Sequence, residues 1–158
     1  PDRDVDYSSY LSDQVQRAGL SGHVFFVGET SFIDSAYAKA DVFLLSSRLD
    51  PLPNVAIDAM FSGVPVVCFD RCSGIADFLH RIEMGPRCVA RYLDTEDVAA
   101  KLLDFAASAS LRSEIGGIIG AAARHHFDMS RYVQEVESIA LAAVHERSKL
   151  EMPPAQPA

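Results

Sequence analysis

The sequence predicts an α/β fold: a parallel sheet flanked by helices, followed by an all-helical C-terminal segment. Three observations lead there. Short, continuous apolar runs alternate with segments of helical period up to about residue 90. Those runs are bounded by glycine and proline and show no polar alternation, as expected of strands buried on both faces. Beyond residue 90 only helical periodicity remains, so strands with crossover helices give way to helices alone.

The elements follow in order. Tyr7 to Leu20 carries Tyr10, Leu11, Val15 and Ala18 at helical spacing, with Gly19 and Gly22 marking its end. His23-Val24-Phe25-Phe26-Val27-Gly28 is expected to be a first buried strand. Ser31 is placed to cap a helix through Ile33, Ala36, Tyr37 and Ala40, and Val42 to Leu45 reads as a second strand. A loop rich in serine and proline, Ser46 to Asn54, then leads to a short helix over Val55 to Phe61, with Asn54 as its expected N-cap and Gly63 near its end. Val64 to Phe69 is a third strand, with Pro65 near its start, where proline is tolerated. Ser73 or Gly74 opens a helix through Phe78 and Ile82, and Cys88-Val89-Ala90 is a weak fourth strand. Three helical stripes close the chain: Val98, Leu102, Ala106; then Leu111, Ile115, Ile118, Ala122; then Tyr132, Val136, Ile139, Ala143. Residues 1–150 read as one domain and the proline-bearing 151–158 as a disordered tail.

Composition narrows the function classes. The 158 residues are 49% hydrophobic and 23% charged, the usage of a globular chain and not of a disordered or coiled-coil one. A net charge of -8, with no basic stripe, argues against a nucleic-acid partner. Cys68, Cys72 and Cys88 lie in or beside apolar segments and read as reduced buried thiols of an intracellular protein. Cys68-x3-Cys72 has no second ligand pair at zinc-like spacing, so no metal is expected, and no cofactor either. No signal peptide is visible, and no stretch reaches the ~20 apolar residues of a membrane helix. G-x-G-x-x-G and P-loop fingerprints are also missing.

The segment Ser46 to Met60 is the most informative. Asp50 and Asp58 are separated by seven residues, and Asp58 falls in the first turn of the helix expected from Val55. In a parallel sheet, ligands bind beyond the carboxyl ends of strands. A helix N-terminus there offers free amides to a phosphate, and carboxylates on either side suit sugar hydroxyls. That is the chemistry of a nucleotide sugar. The plainer roles are a dipole partner for Asp58 and a turn former for Asp50.

Asp50-x7-Asp58 followed by Ala59-Met60-Phe61-Ser62-Gly63-Val64-Pro65-Val66-Val67 resembles the Glu-x7-Glu and Gly-x-Pro-Val-Val pattern of group 1 (family 4) retaining glycosyltransferases. Val24 to Gly28, Ala40 to Ser47, Tyr92-Leu93-Asp94, Phe127-Asp128-Met129 and Tyr132 are similar to other parts of the same family, so the likeness runs to about Ser148. The resemblance implies a Rossmann-like, nucleotide-sugar-binding domain, the C-terminal half of a two-domain GT-B enzyme. It implies that Asp50 contacts hydroxyls of the donor sugar as the catalytic-site acid, and that Asp58 binds the ribose. The amides of Leu52, Asn54 and Val55 would hold the distal phosphate, with Gly28 and Glu29 near the nucleobase. Pro51 and Pro53 have no N–H to give.

The chain departs from the pattern in places. Asp stands where the family has Glu at 50, at 58 and at 77, the last in the position of a Gly-x-x-Glu acid, and each carboxylate is shorter by about 1.5 Å. The family's Arg and Lys clamp and its N-terminal acceptor domain would precede residue 1.

The implied function is the donor-binding half of a hexosyltransferase in polysaccharide biosynthesis, with this chain alone inactive. Its partners would be a nucleotide diphosphate sugar, a glycan or lipid-linked acceptor, and the N-terminal domain. Its expected location is cytoplasmic, or peripheral at the inner face of a membrane. The alternative is a non-catalytic nucleotide-sensing or interaction module that kept the fold; a non-hydrolysing epimerase of the same overall fold is a third option. The family's strand order resembles 3-2-1-4-5-6, and strands 1 and 2 would lie before Pro1. Direct pairing of Val24–Val27 with Val42–Leu45 is therefore the first expectation. A homodimer that swaps this strand is the second, and a substitute strand from the N-terminus the third.

Overall fold

A computed structural model describes the backbone of residues 3–150 and the side chains of residues 7–147; the tail expected at 151–158 lies outside the described residues. The chain divides into two compact units, Pro1–Ile33 and Asp34–Ala158.

The first unit holds α1 (Arg3–Arg17), closed by Gly19 in the left-handed region at φ 70°. His23 and Val24 donate to the Leu20 carbonyl, which extends the turn to residue 24. The strand expected at His23–Gly28 does not form. Val24, Phe25, Phe26 and Val27 are 37, 76, 60 and 79% exposed and belong to no ladder. A strand exists only through a neighbour, and this run has none among the described residues. The N-terminal residues form a helix and supply no substitute strand.

The second unit is a three-stranded parallel sheet in sequential order: β1 (Phe43–Leu45), β2 (Val66–Phe69) and β3 (Val89–Ala90). Phe43 pairs with Val66, Leu45 with Cys68, and Cys68 with Val89. β1 therefore pairs with β2, and the expected pairing with Val24–Val27 is not made. The fourth expected strand is only two residues long, because α5 (Gly85–Cys88) occupies the residues before it.

Helices α2 (Ile33–Tyr37), α3 (Asn54–Phe61), α4 (Gly74–Arg81), α6 (Thr95–Ala107), α7 (Ala109–His126) and α8 (Met129–Leu150) complete the chain. α2 stops at Tyr37, short of Ala40, and at its approach the Thr30 hydroxyl, not Ser31, accepts from the Phe32 amide. Asn54 is the first helical residue of α3 and Pro53 its N-cap, so Asn54 does not cap. The reason is that the Pro53 carbonyl already receives the amides of Ala56 and Ile57. α6 and α7 have side-chain caps, from Asp94 and Ser108.

The main core joins Val66, Val67 and Cys68 of β2 to Ala56, Ile57, Ala59 and Met60 of α3, Ile75, Ala76, Phe78 and Leu79 of α4, Phe105 of α6, and Ile115, Ile119 and Ala123 of α7, while Phe69 packs in a smaller cluster with Cys72, Ala90 and Val98. Each large side chain here contributes about 1.5–3 kcal/mol by leaving water. α7 approaches α3 through glycines: a Cβ at Gly116 would strike the Gly63 carbonyl, and one at Gly120 would lie 2.8 Å from the Met60 carbonyl. That contact turns Ile119 inward and leaves Ile118 exposed, so the expected stripe through Ile118 is displaced by one residue. The stripe of α8 is not packed: Tyr132, Val136 and Ile139 are exposed.

Candidate functional site

The carboxyl ends of the three strands lead into three loops. After β1 the chain runs through Ser46 to Pro53, after β2 through Asp70 to Ser73, and after β3 through Arg91 to Asp94. The first two loops are joined by reciprocal backbone bonds. The Asp50 amide donates to the Cys72 carbonyl at 2.9 Å, and the Gly74 amide donates to the Pro51 carbonyl at 2.8 Å. Gly74 is required at this crossing, since a Cβ there would lie 2.7 Å from the Pro51 oxygen. Ser73 is buried, and its hydroxyl has no hydrogen-bond partner among the described residues.

Two hollows open beside these loops. A smaller one, about 200 Å³, is lined by Asp50, Pro51, Arg71, Ser73, Gly74 and Asp77, among others. A larger one, about 580 Å³, is lined on α3 by Asn54, Ile57, Asp58 and Phe61, with Leu52 before them and His126 to Met129 and Tyr132 opposite. The structure thus brings Asp50 together with Asp77, and Asp58 together with Leu52 and Asn54. It places the two acids of the Asp50-x7-Asp58 spacing in different hollows, and the lining changes between Pro51 and Leu52.

The amides of Leu52, Asn54 and Val55 reach no backbone carbonyl among the described residues. Those of Asn54 and Val55 are the orphan donors of the first turn of α3, and they aim a partial positive charge at the loop. Val55 lines neither hollow, but its carbonyl accepts the Tyr37 hydroxyl at 3.0 Å, which fixes the start of α3 against α2. Burial, and then the charges of Asp58 and Asp34, push the Tyr37 phenol above its ordinary range, so it remains a donor. Gly28 and Glu29 are exposed in the first unit.

Sequence reasoning missed several lining residues. Arg71 stands two positions beyond β2 with φ 57°, and its guanidinium carbon lies 4.9 Å from the centre of the Tyr92 ring. His126 stacks on Phe78 at 5.3 Å, and Asp128 accepts the amides of Ser130 and Arg131 at the head of α8. Arg71 carried one legible signal, its place directly after a buried strand; His126 carried none. No group of three or more His, Cys, Asp or Glu that could hold a metal occurs among the described residues.

The head of α3 thus offers orphan amides, which can hold a phosphate, with Asp50 before them in one hollow and Asp58 after them in the other, where each carboxylate can accept hydroxyls. A family model described as "Glycosyl transferases group 1" matches residues 4–117. The lipopolysaccharide core biosynthesis mannosyltransferase LpsB of Rhizobium meliloti (strain 1021) is 28% identical over 141 residues, covering 89% of this chain and 38% of that protein. A mannosylfructose-phosphate synthase of Agrobacterium fabrum is 42% identical over 59 residues, 36% of this chain and 13% of that protein. The Vi polysaccharide biosynthesis protein VipC/TviE of Salmonella typhi is 34% identical over 64 residues, 40% of this chain and 11% of that protein. The chain thus spans well under half the length of these relatives. No solved structure matches it.

Proposed function

The chain belongs to the group 1 glycosyl transferases, and from that premise we propose that it is the donor-binding half of a retaining GT-B hexosyltransferase. Its substrate would be a nucleotide diphosphate sugar, and the acceptor a glycan or a lipid-linked sugar held by a separate N-terminal domain. The observation that carries this reading is the head of α3: unpaired amides at Leu52, Asn54 and Val55, with Asp50 before them and Asp58 after them.

In this mechanism the bond between the anomeric carbon and the distal phosphate oxygen breaks, and negative charge grows on the leaving diphosphate. The amides and the dipole of α3 oppose that charge without having to reorganise. Asp50 accepts hydrogen bonds from hydroxyls of the transferred hexose and fixes its orientation. Asp58 accepts from the ribose. By itself this chain would turn over no donor. Among the described residues no helix is long and apolar enough to cross a membrane; we propose a cytoplasmic location, peripheral at the inner face of a membrane where the acceptor is lipid-linked.

The test is steady-state kinetics on the intact protein. Asp58→Ala should raise KM for the donor, because a ribose hydroxyl loses its acceptor. Asp50→Ala should lower kcat more than it raises KM, because the reacting sugar loses its orientation. Negligible effects from both substitutions would favour a non-catalytic module built on the same fold.

A further inference from the structure

Resting on that reading, we infer that Arg71 is a ligand-binding residue of the smaller hollow, and that it takes an anionic oxygen group, phosphate or carboxylate, at the sugar end of the bound donor.

Four observations place it there. Arg71 lines the same hollow as Asp50 and Asp77, so one basic and two acidic residues border it. Its backbone is left-handed at φ 57°, a conformation that L-residues with a Cβ adopt reluctantly. The loop bearing it is tied to the Asp50 loop by the reciprocal Asp50–Cys72 and Gly74–Pro51 bonds, so the guanidinium stem and the Asp50 carboxylate share one frame. Lastly, the head group is held but not consumed. It lies over Tyr92 at 4.9 Å, and its Nε is 3.6 Å from Asp70 Oδ2. Asp70 in turn contacts His80 Nε2 through its other oxygen at 3.2 Å. The side chain is largely exposed.

A largely exposed guanidinium seated on an aromatic face suits planar, two-pronged recognition of phosphate or carboxylate. Two carboxylates alone would accept hydroxyls and repel an acidic ligand. Adding Arg71 makes the hollow a place for a sugar that carries an anionic group beside its hydroxyls. That group is either the phosphate on the anomeric carbon or a carboxylate on the ring.

The test is an NMR titration of the 158-residue chain with glucose, glucose 1-phosphate and glucuronic acid. The anionic probes should shift the amides of Arg71, Ser73 and Gly74, and glucose should do so at least tenfold more weakly. A response to glucose 1-phosphate alone assigns the group to the phosphate; a response to glucuronic acid assigns it to a ring carboxylate. Arg71→Ala should weaken the anionic response at least tenfold, with Arg71→Lys intermediate. Arg71→Gly, which suits the left-handed backbone, should match Arg71→Ala in binding while melting no lower than the parent chain. Equal binding of all three probes, no anionic response, or unchanged binding by Arg71→Ala and Arg71→Gly would overturn the inference. A parallel titration with uridine and guanosine diphosphates, with and without Asp58→Ala, reports on the functional reading separately. Loss of that response beside intact Arg71-dependent anion binding would remove the reading and leave Arg71 as a binding residue.

Discussion

Arg112 Nε lies 2.9 Å from Asp41 Oδ1, so the first turn of α7 holds the residues that lead into β1. The same guanidinium donates through Nη1 to the carbonyls of Phe105 at 2.6 Å and Ala106 at 3.3 Å, closing the end of α6. These carbonyls are orphans of a helix C-terminus, and a charged donor to them is worth more than an exposed ion pair. Arg112→Ala should therefore destabilise the chain by about 1.5–3 kcal/mol, and Asp41→Asn by only about 0–1 kcal/mol. Urea denaturation measures both. Equal losses would mean that the ion pair, and not the cap, dominates.

Two adjacent glycines of α7 should respond in opposite directions. A Cβ at Gly116 meets the Gly63 carbonyl, and one at Gly117 meets open space. Gly116→Ala should cost about 1–3 kcal/mol by forcing α3 and α7 apart. Gly117→Ala should gain about 0.5–1 kcal/mol, since alanine orders a helix interior at less entropic cost. Thermal melts of the two variants check the order, and the reverse order would refute the close approach of α7 to α3.

Stability should fall on mild acidification through His126. Burial, then the positive neighbours Arg81, Arg131 and His125, hold its imidazole below the ordinary value of 6.5. Its Nε2 lies 3.3 Å from Arg81 Nη1, which can only donate, so this contact needs the neutral ring. The folded chain then binds fewer protons than the unfolded one. The contribution is complete above the unfolded pKa and is lost as pH falls below it toward the folded pKa. His126→Phe, which keeps an aromatic ring beside Phe78 and Phe127, should flatten the slope of unfolding free energy between about pH 7 and pH 5. Asp97, lowered first by the Arg91 amide, acts in a separate window below its ordinary 3.8. An unchanged slope in His126→Phe would assign the pH dependence elsewhere.

The three thiols should be silent in the native state. Burial pushes Cys68 and Cys88 up to about 12 and raises Cys72 as well. Thiolate is the reactive form, so a disulfide reagent at pH 8 should modify none of them until urea exposes all three. Rapid native labelling of one thiol would reveal local opening at that strand.

Much of this architecture was legible because its determinants are local. Val66 to Phe69 is a continuous apolar run and proves to be the central strand, buried throughout. Val24 to Val27 has the same local character and forms no strand, because periodicity records what a segment wants to bury and not whether a neighbour exists. Asn54 has the chemistry of a cap, yet Pro53 takes that position with its carbonyl. On α7, Ile118 and Ile119 are equivalent until Gly116 and Gly120 set the contact with α3. Asp50 lies in a loop and Asp58 on a helix, as expected, but α3 begins at Asn54 with Pro53 as its cap, so Asp58 falls beyond the expected first turn. Their division between two hollows depends on the crossing of Gly74 and Pro51, which pairs residues distant in sequence.

The sequential order β1, β2, β3 has a consequence for a chain emerging from a ribosome. β2 can pair with β1 once Phe69 is available, but its other edge must wait for Val89 and Ala90, roughly twenty residues later. At about 5–20 residues per second, that interval lasts on the order of one to four seconds, far longer than a hairpin or helix takes to form. During it the central strand of the sheet, buried throughout in the finished chain, presents an open edge. The nascent chain is therefore most in need of a holding chaperone between the synthesis of residue 69 and that of residue 90. Slowing translation over α4 and α5 would be expected to lower its soluble yield, even though the finished protein is unchanged.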